Sequence, residues 1–270
     1  MENDQPEIMN LSGSWRIRKP ADDEETVYIS EKFGVRSLHI GSDTIQSAMR
    51  IAAPGELELS YTRSMMGFLL FNDAPQSVLM IGLGGGSVAK YVYQRMPDAV
   101  VRVIEISERV LTVARRYFEV PENNARFEVI VGDGAEFVSR PDVRADLIMA
   151  DGYDGKSHVE AVSTLAFYRN CHARLNPRGM LVVNLWGGDR AFNDTLKRIE
   201  QAFPAGTLCL PAEKLGNVIV FGFRDAAGPV SWGTLDERAR ALETRYELEF
   251  PRFVAGLRKM NRHDDFDLKI

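Results

Sequence analysis

The sequence has little of what a disulfide scaffold, a metal centre or a nucleic-acid binder needs. It holds 2 cysteines in 270 residues, Cys171 and Cys209. Both sit among apolar neighbours and read as buried thiols rather than a bridge, which fits a reducing compartment. The 4 histidines, His39, His158, His172 and His263, are scattered without ligand spacing, so no metal site is expected. No block of lysine and arginine occurs, and the formal net charge is −5. A nucleic-acid partner is therefore not expected. No apolar run nears the ~20 residues of a membrane-crossing helix, so no membrane partner is expected either. Residues 1–6 are polar and acidic, unlike a secretory signal. These absences together point to a cytoplasmic protein. Internal repeats and low-complexity tracts are also missing.

What is present is an ordinary globular composition, 45% apolar and 26% charged. The mild acidic balance suits a small cationic ligand. The chain is organised around residues 76–87. An apolar run at 78–81 reads as a strand buried on both faces. Gly82, Gly84, Gly85 and Gly86 follow, and then a helical pattern of Val88, Tyr91, Val92 and Met96. Strand, glycine turn and helix make the first unit of a nucleotide-binding α/β domain. Glycines permit the tight turn and let a ligand approach the backbone, and the helix start offers unpaired N–H groups. The four glycines are therefore cofactor-binding candidates.

Three more strand-like runs support this reading. Residues 100–104 lead into Glu105, placed to bind both hydroxyls of a ribose. Residues 127–131 lead into Gly132-Asp133-Gly134, and residues 145–150 into Asp151. Ligands of open parallel sheets bind beyond these carboxyl ends.

Around this centre, residues 1–24 read as a poorly ordered, solvated segment. Short pieces at 27–29, 37–40 and 44–46 read as a small antiparallel sheet. Helices are expected at 57–71, 107–118, 164–175 (capped by Ser163) and 191–203. A fifth strand is expected at 180–185. Runs at 207–210 and 217–223 form a hairpin that adds an antiparallel edge. The tail from Asp236 shows two polar helical stretches split by Pro251, packing on the outside or on a partner subunit.

Two features favour an S-adenosyl ligand over a nicotinamide dinucleotide. A dinucleotide fingerprint expects its third glycine at position 87, where Ser87 stands. Asp133 offers an acceptor for an adenine amino group. Asp151 and Asp154 then lie on one loop, spaced to face one cavity. Aspartates in such loops also serve simply as turn caps. As functional groups, they would hold an amine. An amine with a pKa of ~10.4 arrives charged and must lose a proton before it attacks carbon. A carboxylate can bind the ammonium and take that proton.

From Val27 to Phe223 the chain resembles the spermidine synthases, the polyamine aminopropyltransferases. Gln46 with Tyr61 is similar to that family's Gln…Tyr stretch. Ile104-Glu105-Ile106 matches its ribose-binding Val-Glu-Ile, Gly132-Asp133-Gly134 its adenine contact, and Asp151 and Asp154 its Asp-x-x-Asp. The resemblance implies Asp151 as catalytic base, Asp154 as amine ligand, and Tyr61 and Gln46 as substrate-binding residues. It also implies Glu105, Asp133 and Gly134 at the nucleoside. Three positions depart from the family: Gly85 replaces an Asp that grips the aminopropyl ammonium, Gly155 replaces a Pro, and a pocket tyrosine is absent from residues 210–213. With Gly85, weak discrimination between decarboxylated and intact S-adenosylmethionine is expected.

The expected fold class is α/β: a doubly wound, mostly parallel seven-stranded Rossmann-like methyltransferase sheet with a small N-terminal antiparallel β element. The expected divisions are residues 1–53, 54–225 and 226–270. The resemblance implies aminopropyl transfer from decarboxylated S-adenosylmethionine or a relative to a small amine, releasing methylthioadenosine, without a metal and as a homodimer. A methyltransferase using S-adenosylmethionine, a non-catalytic nucleoside-binding homologue and a dehydrogenase are the alternatives.

Overall fold

The computed structural model describes residues 8–9, 15–16, 27–152, 160–213 and 216–270. Five strands come first: β1 (Ile8–Met9), β2 (Trp15–Arg16), β3 (Val27–Lys32), β4 (Val35–Ile40) and β5 (Ile45–Arg50). They pair in chain order as an antiparallel sheet. β1 and β2 fall in the segment expected to be poorly ordered, and the rest of that segment lies outside the described residues. Next comes α1 (Ser60–Met65), which tightens into a 3₁₀ turn over Met66–Leu70 where one long helix was expected. Gly67, a poor helix former, sits at that change.

The main sheet follows. Its elements are β6 (Ser77–Ile81), α2 (Ser87–Arg95), β7 (Val100–Glu105), α3 (Glu108–Phe118), β8 (Phe127–Val131), α4 (Gly134–Ser139) and β9 (Ala145–Ala150), then α5 (Leu165–Arg174), β10 (Leu175–Trp186), α6 (Phe192–Ala202), β11 (Thr207–Pro211) and β12 (Asn217–Phe223). The strand order is β11-β12-β10-β9-β6-β7-β8. β12 runs antiparallel to both its neighbours, and the strands from β10 to β8 are parallel. This is the seven-stranded sheet with an antiparallel edge that the pattern predicts. The chain moves outward from β6 through β7 to β8, then returns to the other side of β6 for β9. That reversal opens a crevice beyond the strand ends.

Alternation along the strands feeds two cores. Val78, Met80, Val101, Val103 and Met149 face one, and Leu79, Ile81, Ile104 and Ile148 the other. The chain closes with β13 (Val230–Ser231), α7 (Trp232–Tyr246), α8 (Phe250–Met260) and β14 (Asp267–Leu268). These helices are not superficial. Trp232, Leu235, Tyr246, Phe250 and Leu257 are buried in the first core. The break between them falls at residues 247–249, where Glu247 takes φ 56° as the cap of α7. Pro251 sits in the first turn of α8, where no N–H is needed.

Smaller differences have local causes. Thr164 caps α5, its hydroxyl accepting from the Phe167 N–H at 3.0 Å, while Ser163 donates to the Glu160 carbonyl. β10 begins at Leu175 and passes through a register shift before Met180. Cys171 is buried, Cys209 is only half-buried, and both are free. Among the described residues no helix is long and apolar enough to cross a membrane.

One buried lysine links the turn after the N-terminal sheet to the end of α3. Lys90 of α2 is 1% exposed. Its Nζ donates to the Pro54 carbonyl at 2.9 Å and to the Phe118 carbonyl. Burial lowers its pKa to about 8, against a small opposing pull from Glu119. An unfolded lysine titrates near 10.4. Between these values the unfolded chain holds more protons, so this residue's penalty on the folded state shrinks as pH rises. Urea denaturation of wild type and Lys90→Met at pH 7 and 9.5 should show the stability difference moving toward wild type by about 2 kcal/mol. A pH-independent difference would mean that Lys90 keeps an ordinary pKa.

Candidate active site

Three strand ends lie side by side at the crevice. The Gly82 N–H donates to the Ile104 carbonyl at 2.9 Å, and the Asp151 N–H to the Ile81 carbonyl at 3.0 Å. Gly82 therefore sits between Glu105 and Asp151. Its φ is +93°, and a Cβ there would lie 2.4 Å from the Asp151 carbonyl oxygen. Only glycine satisfies both the conformation and the approach.

Glu105 is buried, and its carboxylate faces backbone donors. It accepts from the Leu83 N–H at 2.8 Å and the Ser107 N–H at 2.9 Å. Ser107 in turn caps α3 by accepting from the Val110 N–H. One carboxylate thus holds both the glycine turn and the helix start beside the crevice.

Asp133 is exposed and caps α4. Its Oδ1 accepts from the Ala135 and Glu136 N–H groups at 2.7 and 3.2 Å. Both bonds use one oxygen, which leaves the other for a ligand donor. Gly134 lets α4 close on β6, since a Cβ there would lie 2.4 Å from Ile81 Cγ2.

Asp151 follows β9 at the floor of the crevice. Its Oδ1 accepts from Asn184 Nδ2 at 2.8 Å. Burial pushes its pKa above the ordinary carboxylate value, while hydrogen bonds from Asn184 and Tyr61 pull it down. The Tyr61 hydroxyl also reaches the Gln46 carbonyl oxygen at 3.1 Å. Burial first, and then the charge of and bond to Asp151, hold Tyr61 well above its usual pKa. The phenol is a donor here.

A cleft runs over these groups. Gln46, Ser47, Tyr61, Gly82, Gly84, Glu105, Ile106, Asp133, Gly134 and Asp151 all line it. No lysine, arginine or histidine is among the described residues that line it. Most of the sites named from the sequence therefore meet in one place. Gly85 and Gly86 do not line the cleft and are buried. A Cβ on Gly85 would lie 2.7 Å from Ser47 Oγ and 2.9 Å from Phe118 Cδ1. The glycine at 85 thus packs against the N-terminal sheet and α3, and a side chain there would have to displace Ser47 or Phe118. Asp154 and Gly155 lie outside the described residues.

Sequence reasoning missed Ile106 and Asn184. Ile106 is 67% exposed and lines the cleft, an apolar surface beside the Glu105 carboxylate. Its signal was an isoleucine just past a strand end. Asn184 was detectable as the one polar residue in the apolar run from Met180 to Leu185. Trp186, the last residue of β10, is not among the lining residues. Its ring closes over Gly216, whose Cβ position lies 2.3 Å from it.

Fold and cleft together define an α/β transferase of the methyltransferase type. Solved structures agree on the fold. A spermidine synthase in complex with the transition state analogue AdoDATO superposes with a TM-score of 0.71 at 18% identity, covering 90% of this chain and 84% of that one. Human methyltransferase-like protein 13, in complex with SAH, gives 0.63 at 24% identity, covering 70% and 92%. The family model described as the spermine/spermidine synthase domain matches residues 58–218. A polyamine aminopropyltransferase of Chromobacterium violaceum is 42% identical over 92% of this chain and 95% of its own. The chain belongs to the spermine/spermidine synthase family, a family of transferases.

Proposed function

We propose that the protein transfers an aminopropyl group from decarboxylated S-adenosylmethionine to a small amine and releases methylthioadenosine. The charge of the cleft carries this reading. Glu105, Asp133 and Asp151 line it, and no cation does among its described residues. A donor bearing only positive charge fits these walls, and one retaining a carboxylate meets no counter-charge.

Each residue then has a task. Glu105 accepts from the ribose hydroxyls, the free oxygen of Asp133 from the adenine amino group, and Ile106 packs on the base. The glycine turn of Gly82 and Gly84 borders the donor. Tyr61 and Gln46 position the acceptor, and Asp154 binds its ammonium. Asp151, raised by burial, takes the proton that the amine must lose. The donor contributes an electrophilic carbon next to sulfonium sulfur, which leaves as a neutral thioether. Alignment of amine, carbon and sulfur by these walls supplies much of the rate. A cytoplasmic homodimer belongs to the same proposal and rests on the family and on composition.

Calorimetry with both donors, followed by product analysis with a panel of diamines, tests the proposal. The decarboxylated donor should bind at least about tenfold tighter, the scale of one charge-assisted hydrogen bond, and yield methylthioadenosine. Formation of S-adenosylhomocysteine from the intact donor would establish methyl transfer instead. Equal affinity for both donors would remove the charge argument.

A further inference from the structure

We infer that Asn184 and Asn217 are positioning residues for Asp151, two linked amides that hold its carboxylate ionised and oriented toward the cleft. The inference rests on the proposed role of Asp151 as base. Asn184 is 3% exposed, in a strand whose neighbours Val182, Val183 and Leu185 are buried and apolar. A buried amide is costly unless its hydrogen bonds are made. Asn184 makes one at each end. Nδ2 donates to Asp151 Oδ1 at 2.8 Å, and Oδ1 accepts from Asn217 Nδ2 at 2.9 Å.

Strand register produces this chain of contacts. Val183 pairs with Ala150 in the parallel ladder, so the next residues, Asn184 and Asp151, come side by side. Ile219 is the antiparallel partner of Asn184. Asn217 lies two residues before Ile219, on the same face of β12, as a diagonal neighbour.

An amide can present either its oxygen or its nitrogen. Asn217 donates, so it takes the oxygen of Asn184 and turns the NH₂ toward Asp151. The reverse orientation would set a carbonyl oxygen against an ionised carboxylate, two acceptors with no proton between them. The pair therefore favours the charged form of Asp151, against burial, which favours the neutral form. Tyr61 adds a second donor from α1. Glu105 and Asp133, the other carboxylates lining the cleft, carry the same sign as Asp151 and disfavour its charge. A base must be unprotonated before it can accept a proton, and the amides extend that condition to lower pH.

The test combines kinetics with a direct titration. In Asn184→Leu the acid limb of kcat/KM should move up by about one to two pH units, the equivalent of one hydrogen bond to a charged group. On the high-pH plateau kcat should stay within about tenfold of wild type, and KM for the donor and affinity for methylthioadenosine should not change. Asn217→Ala, at a half-buried strand end, should shift the limb in the same direction by less. Carbon-13 NMR of the Asp151 carboxyl, assigned by its loss in Asp151→Asn, should show the same upward shifts without any turnover. Activity lost equally at every pH, with the carboxyl titration unmoved, would reduce the amides to strand packing and overturn the inference. If Asn184→Leu does not fold, an unshifted titration in Asn217→Ala overturns it alone. A wild type that transfers nothing to any amine would end the proposed function, and the NMR titration would still decide the amide pair.

Discussion

Asp151→Asn should lower turnover about 10²–10⁴-fold, the usual contribution of a general base, with methylthioadenosine affinity within about twofold of wild type. The substitution is isosteric. The new amide oxygen can still accept from Asn184 Nδ2, which now sits 2.8 Å from Asp151 Oδ1. The new NH₂ can donate to the Tyr61 hydroxyl oxygen. Shape and local contacts persist, and only the capacity to take a proton is lost. Single-turnover release of methylthioadenosine at saturating donor measures the chemical step apart from binding. Near-wild-type release in the variant would remove Asp151 from the mechanism.

Glu105→Ala should do two kinds of damage at once. It removes the proposed acceptor for the ribose hydroxyls, and it also strands the Leu83 and Ser107 N–H groups that the carboxylate now satisfies. Glu105 is 6% exposed, so water replaces those bonds poorly. Bonds to a charged group are worth ~1.5–3 kcal/mol each. A stability loss of about 2–4 kcal/mol is expected by urea denaturation, with at least a tenfold weaker affinity for methylthioadenosine by calorimetry. Weak affinity at unchanged stability would make Glu105 a ligand contact alone. No change in either would exclude it from the site.

The two variants differ because Asp151 is proposed to act on substrate alone, whereas Glu105 also holds the backbone that forms the site. That difference was not visible in the chain. Strand ends were legible, since an apolar run followed by glycine or a carboxylate marks both the strand and its exit. Gly82, Glu105, Asp133 and Asp151 were read that way, and all four line the cleft. Residues whose role depends on a partner from a distant element were not. Asn184 meets Asn217 only through the antiparallel register of β10 and β12. The packing of Gly85 against Ser47 depends on how the N-terminal sheet docks, which the sequence does not show. The tail looked polar because charged residues are interleaved through α7, although Leu235, Ala239 and Leu242 repeat toward the core. Pro251 looked like a breaker when it begins a helix.

The helix α3 divides its apolar surface between two cores. Val110 and Phe118 pack with Val27, Ile29, Leu38 and Met49 of the N-terminal sheet. Leu111 and Ala114 pack with the main sheet. Its first turn is capped by Ser107, whose N–H is held by Glu105 at the cleft. The N-terminal sheet therefore has no private boundary along which to melt. Detaching it would uncover one side of α3 and loosen the anchor of the Glu105 carboxylate. Cooperative unfolding units are drawn by such shared surfaces rather than by position along the chain, and here the unit runs from β3, β4 and β5 to the cleft.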